Sequence, residues 1–182
     1  MKPEIFEIRT VGSGLLSVMP CPRATHLEQD LAVLAERRVD RVVSLLETEE
    51  AAHLGLAEEA AACHRLGMDF TSFPVRDMHP PPNLRKFRQL STELYEELRQ
   101  GRNILIHCYA GIGRTGVLSG SILIRSGMSP RDAIELMSTI RGRNMPQTQE
   151  QYDFLLAEAD PPAAERQTPG RFSWLWKRRQ TA

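Results

Sequence analysis

Short apolar runs alternate with amphipathic stretches along most of this chain. Ile5-Phe6-Glu7-Ile8 and Leu15-Leu16-Ser17-Val18-Met19 have the composition of strands, with Gly12-Ser13-Gly14 as the turn between them. Thr25 and Glu28 have capping-box spacing, and Leu27, Leu31 and Leu34 then mark one helix face. Val42-Val43-Ser44-Leu45-Leu46 reads as a buried strand. An alanine- and glutamate-rich helix is expected from about Glu49 to Leu66, interrupted near Gly55. Phe70 to Val75 is a further strand that feeds an irregular segment, Arg76 to Pro82, with three consecutive prolines. Asn83 caps a helix whose Leu84, Phe87, Leu94 and Leu98 share a face, and Gly101 ends it. Ile104 to His107 is the next strand and Gly113 to Arg125 the next helix. Ser129-Pro130 opens another helix, with Ala133, Leu136 and Ile140 inward, and Thr148 with Gln151 opens the last.

Strands alternating with helices predict an α/β domain, with a mostly parallel central sheet of about five strands flanked by helices. A length of 182 residues suits one domain with a substantial core. From Asp160 to Gly170 the composition shifts to Pro, Ala, Glu and Arg, the character of a linker. Residues 1–159 are therefore expected to form the domain and 160–182 a tail. The tail ends in Phe172-Ser173-Trp174-Leu175-Trp176-Lys177-Arg178-Arg179, an amphipathic stretch too short to hold a membrane alone. A tail folded over the domain is the simpler expectation.

A formal net charge of zero gives no reason to expect nucleic acid or an anionic membrane as partner. Three cysteines, Cys21, Cys63 and Cys108, do not form a disulfide framework and fit a reducing compartment. The first residues carry charges rather than an apolar leader. The default expectation is a cytoplasmic monomer.

The chemistry concentrates in Ile104-Leu105-Ile106-His107-Cys108-Tyr109-Ala110-Gly111-Ile112-Gly113-Arg114-Thr115. A strand, a tight loop and a helix start surround one cysteine. A helix N-terminus and a neighbouring cation favour a cysteine thiolate over the thiol. Gly111 and Gly113 let successive N–H groups converge on one anion, and Arg114 can grip two of its oxygens. Tyr109, Ala110, Gly111, Ile112, Gly113 and Arg114 are the expected phosphate-binding residues. His107 is expected to orient the loop by hydrogen bonding, and Thr115 to donate its hydroxyl to the Cys108 sulfur. Cys21 and Cys63 are read as buried; either would protect an oxidised Cys108 only if it lay nearby.

The segment His107 to Thr115 matches the signature of the cysteine-dependent protein tyrosine phosphatase superfamily. The chain from about Leu15 to Leu156 resembles its dual-specificity branch. The resemblance implies a phosphotyrosine phosphatase-like fold and a nucleophilic Cys108 supported by Arg114 and Thr115. It also implies a general acid on a loop about thirty residues upstream. Asp77, in Phe73-Pro74-Val75-Arg76-Asp77-Met78-His79-Pro80, stands at that place, with His79 as a rim residue or competitor. Arg141 to Tyr152 resembles the family's glutamine-bearing loop, which makes Gln147 and Gln151 candidates for positioning water and Arg141 a structural tie. The loop interior has no lysine, unlike loops that act on inositol phosphates, and no separate pocket-deepening aromatic motif is evident. A phosphorylated protein is thus the expected substrate, at phosphotyrosine and also at phosphoserine or phosphothreonine. A small phosphorylated metabolite or phosphoinositide is the alternative, and a non-catalytic phosphate-binding module a further one. No metal or cofactor is expected.

Overall fold

The computed structural model describes residues 2–158. The expected 159/160 domain boundary and the Trp/Arg-bearing tail lie outside the described residues. Five strands, β1 (Phe6–Val11), β2 (Gly14–Pro20), β3 (Arg41–Ser44), β4 (Asp69–Ser72) and β5 (Ile104–Cys108), form one sheet in the order β1-β2-β5-β3-β4. β1 pairs antiparallel with β2, while β2, β5, β3 and β4 are mutually parallel. The helices are α1 (Leu27–Glu36), α2 (Thr48–His53), α3 (Glu59–Arg65), α4 (Leu84–Arg99), α5 (Gly113–Arg125), α6 (Pro130–Arg141) and α7 (Gln149–Glu158). The expected α/β class is the observed one.

β5 is buried at every position because it is the middle strand with helices on both faces. Leu105 joins Leu31 and Leu34 of α1 and Ala62 and Cys63 of α3 in one apolar cluster. Ile104, Ile106 and Cys108 join Phe87, Leu94 and Leu98 of α4, Val117 and Ile122 of α5, Met137 of α6 and Leu155 of α7 in the other. The alternation along β5 therefore aims Cys108 toward the α4–α7 side and His107 toward the α1/α3 side.

Several local expectations change. Thr25 and Glu28 make no capping box: Thr25 Oγ1 meets His26 Nδ1, and Glu28 pairs with Arg65. Asp30 instead anchors this turn, accepting from the Arg23 backbone N–H at 3.0 Å. The reciprocal capping box lies at Glu47 and Glu50 and starts α2. The Glu49–Leu66 helix is two helices, split where Gly55 adopts a φ of 72°. β3 ends at Ser44, before the expected Leu46, and β4 at Ser72, before Val75. The chain beyond both ends stays tied, with Phe73 N–H donating to Ser44 O at 2.9 Å and Val75 N–H to Leu45 O at 3.2 Å. Leu84 is exposed and Leu90 takes its place in the core. On α6, Ala133 is fully buried as expected and Met137 joins it, whereas Leu136 and Ile140 are half-buried.

Leu155 has no exposed surface and packs in the cluster that supports α5. Leu155→Ala is expected to cost about 2–5 kcal/mol of stability. Urea unfolding should show the midpoint falling with an unchanged slope.

Candidate active site

Cys108 ends β5, and the loop that follows it rises to α5 at Gly113. Gly111 has a φ of 64°, and a Cβ there would sit 2.3 Å from Met19 O. Only glycine fits a chain that is both left-handed and pressed against the end of β2. The loop is fastened from two sides. Cys21 N–H donates to Tyr109 O at 3.0 Å. Arg141 donates to Gly111 O at 3.2 Å and Ala110 O at 3.0 Å, with its guanidinium 3.9 Å from the centre of the Phe6 ring. Arg141 is thus the loop tie that the resemblance implied. α5 has no side-chain cap on its first turn, so its leading N–H groups face the loop.

Arg114, in that first turn, has no exposed side-chain surface. Its Nη1 donates to Glu50 Oε2 at 2.6 Å and Val75 O at 3.1 Å, and its Nη2 to Glu50 Oε1 at 2.9 Å. Burial pulls the guanidinium pKa down, but the Glu50 hydrogen bonds and the Cys108 charge outweigh it, so the net shift is upward. The grip on an anion is consequently restricted. Glu50 takes both Nη1 and Nη2 and Asp77 also lies against Nη2, leaving Nε as the guanidinium nitrogen without an acceptor among the described residues. Arg114 Nε and Thr115 Oγ1 are both buried and meet no acceptor among the described residues. Buried donors left without a partner are costly, and an oxyanion beside Cys108 would satisfy both. Thr115 therefore does not make the expected hydrogen bond to the Cys108 sulfur.

Asp77 lies on the loop after β4, with Oδ1 3.2 Å from Arg114 Nη2 and its side chain 58% exposed. It is brought to the mouth of the cradle. His79 is on the rim, half-exposed, with Nδ1 3.5 Å from Glu150. His107 differs from its expected role. It makes no hydrogen bond to the loop among the described residues; instead its buried Nε2 lies 2.9 Å from Glu59 Oε1. That contact is close but does not have hydrogen-bond geometry.

The two glutamines separate. Gln151 is buried and fully committed: Oε1 accepts from the Gln147 and Thr148 N–H groups, and Nε2 donates to His79 O, each at 3.2 Å. With Thr148 Oγ1 accepting from Gln151 N–H, this is the expected capping box. Gln147 is exposed, and both side chains lie over the start of α5: a Cβ on Gly113 would be 3.0 Å from Gln151 Oε1 and 3.4 Å from Gln147 Cβ. Cys63 is sealed in the α1/α3 cluster, where burial first, then Glu59, pushes its thiol up to about 12. Cys21 lies close enough to Cys108 to feel its charge, but burial first, then Glu59, raises it to about 11. Neither thiol is poised to ionise and resolve an oxidised Cys108 at neutral pH. Glu50 and Glu59 were absent from the sequence-derived site. Only the Glu47–Glu50 spacing carried any signal for Glu50, as a helix start.

A buried cation, a helix N-terminus, an unpartnered hydroxyl and a cysteine at one point are the groups that binding and cleaving a phosphate ester requires. A family model described as Tc-R-P: Polymorphic toxin system, DSP-PTPase phosphatase, matches residues 18–128, more than half of the chain. The chain belongs to the dual-specificity branch of the protein tyrosine phosphatase superfamily. Cyclin-dependent kinase inhibitor 3 of Rattus norvegicus is 33% identical over 85 residues, 46% of this chain and 40% of that protein. Protein tyrosine phosphatase type IVA 2 of Mus musculus is 33% identical over 82 residues, 43% of this chain and 48% of that protein. The chain spans less than half the length of these curated relatives. A crystal structure of kinase associated phosphatase, with serine in place of its catalytic-site cysteine, matches 86% of this chain and 94% of its own with a TM-score of 0.78. At 21% identity that likeness is one of fold.

The Arg114 hydrogen bonds, working against burial, hold the Glu50 carboxyl below its usual value of 4.5. A depressed folded-state value stabilises the fold above 4.5, and that part is lost as pH falls from there through the lower value. Glu50→Gln should therefore flatten the acid limb of the stability–pH curve below about pH 5, measured by urea melts across that range. An unchanged acid limb would contradict the pairing.

Proposed function

We propose that this protein hydrolyses phosphate monoesters on proteins through a cysteinyl-phosphate intermediate. The observation that carries this reading is the pair of buried, unpartnered donors, Arg114 Nε and Thr115 Oγ1, beside Cys108 at the start of α5. The Cys108 thiolate attacks phosphorus opposite the ester oxygen, and the S–P bond forms as the P–O bond breaks. Arg114, Thr115 and the amides from Tyr109 to Gly113 hold the non-bridging oxygens, where charge is concentrated in the transition state. Asp77, protonated, gives its proton to the leaving oxygen. In the second step Asp77 carboxylate takes a proton from water. That water attacks phosphorus, the S–P bond breaks, and inorganic phosphate leaves with the thiolate restored. Gln147 positions the water, since it overhangs the start of α5 with an exposed side chain; Gln151 holds the Gln147 backbone and the Asp77-bearing loop in place through the Gln147 N–H and His79 O. Phosphotyrosine is the primary substrate, with phosphoserine and phosphothreonine as further ones.

The chemistry needs a reduced nucleophile, and the three cysteines are unpaired; we place the protein in the cytoplasm. No helix among the described residues is long and apolar enough to cross a membrane.

Cys108→Ser should remove detectable turnover of p-nitrophenyl phosphate while vanadate binding persists. Retained turnover in that variant sinks the mechanism. Asp77→Asn should lower kcat about 10²- to 10⁴-fold on substrates with poor leaving groups and less on aryl phosphates. Equal losses on both classes would argue against the general-acid assignment.

Gln147→Ala should slow the second step selectively. Rapid-quench measurements should then show a burst of released alcohol followed by slow turnover; a uniformly slow reaction without a burst would assign Gln147 elsewhere.

A further inference from the structure

A cleft of about 860 Å³ opens between Asp77 and Tyr109, the residues that flank the cradle. Its walls are Glu47, Thr48, Glu49, Glu50, His53, Leu54 and Pro74. Four of its lining groups are carboxylates, one is a histidine, and none is Lys or Arg. Two of the carboxylates are already used, since Glu50 and Asp77 lie against Arg114. The other two are not neutralised. Glu47 is exposed and, among the described residues, accepts only a backbone N–H at the start of α2. Glu49, also exposed, has no ion-pair partner among the described residues. Tyr109 stands at the mouth with 56% of its surface exposed, one of three large apolar side chains so exposed among the described residues.

The cradle and the cleft thus have opposite character within one continuous depression. The base accepts a dianion, and the wall beside it is anionic. A second phosphate on the substrate, as in a polyphosphorylated inositol, would be driven against Glu47 and Glu49. A cationic side chain next to the phosphorylated residue would meet them, with its aliphatic stem or a neighbouring ring lying on Tyr109. We propose that Glu47, Glu49 and Tyr109 select phosphopeptides carrying Arg or Lys beside the phosphorylated residue. This rests on the reading of Cys108 as a phosphatase nucleophile.

Exposed charge pairs are modest individually, so the selection is a matter of several-fold rather than of orders of magnitude. Between otherwise identical phosphotyrosine peptides with Arg or Glu flanking the phosphoresidue, kcat/KM should favour Arg by about tenfold at low salt. The preference should shrink toward unity at about 1 M salt, where charges are screened within about 3 Å. Glu49→Arg should erase or reverse the preference. Soluble inositol polyphosphates should be poorer substrates than either peptide. A wild-type ratio near one, a preference for the Glu peptide or for the inositol polyphosphates, or a ratio unmoved by Glu49→Arg overturns the proposal. Turnover of p-nitrophenyl phosphate by the wild type separates the two levels. If that turnover is absent, the phosphatase reading has failed; if it is present without peptide discrimination, only the role of the cleft has failed.

Discussion

The site depends on a guanidinium placed where water does not reach. A buried cation with no partner would be strongly destabilising, and removing one member of a buried pair typically leaves that cost exposed. Arg114 avoids it by collecting a carboxylate from α2 and a carbonyl from the chain just after β4. A single side chain therefore joins α5, α2 and the ends of two strand connections. The same bonds decide how the cation can be used: Nη1 and Nη2 are engaged by Glu50, and Nε is the donor left for an anion.

The sheet explains why these groups converge. Four parallel strands end on one side, and the connections that leave them are tied together there: Cys21 N–H donates to Tyr109 O in the loop after β5, Leu45 N–H to His107 O, and Val75 N–H to Leu45 O. Ligands in open α/β sheets gather outside the carboxyl ends of the strands, where connections diverge. Here β5 sits between β2 and β3, so its loop is walled by both neighbours. Gly111 is the point where that crowding is most severe.

What could be read from the sequence was what is contiguous in it. Cys108, Gly111, Arg114 and Thr115 lie in one short segment, and the alternation of apolar runs fixed the order of strands and helices. Asp77 came from the resemblance, which implies an acid about thirty residues before Cys108, and the structure places its side chain 3.2 Å from Arg114. Glu50 and Glu59 were not legible, because each acts through a contact with a residue far along the chain and each looks like a solvated helix residue in an alanine- and glutamate-rich stretch. Capping signals were legible only in part. Thr148 with Gln151 formed the box, but Thr25 with Glu28 did not, because Asp30 and Arg23 tie that turn together and Arg65 draws Glu28 away. Gln151 shows that a cap and a functional loop can share one residue: the bonds that start α7 also seat it over Gly113.

The three sulfurs occupy different electrical environments, and that has a practical consequence for chemical labelling. Two of them are held as thiols well above neutral pH, one sealed in the core and one beside a buried carboxylate. A small thiolate-seeking alkylating agent at neutral pH thus has one sulfur set against a cation and a helix start, and two that stay silent. Stoichiometric incorporation of such a reagent counts intact cradles rather than total cysteine, which makes the chain its own active-site titration standard.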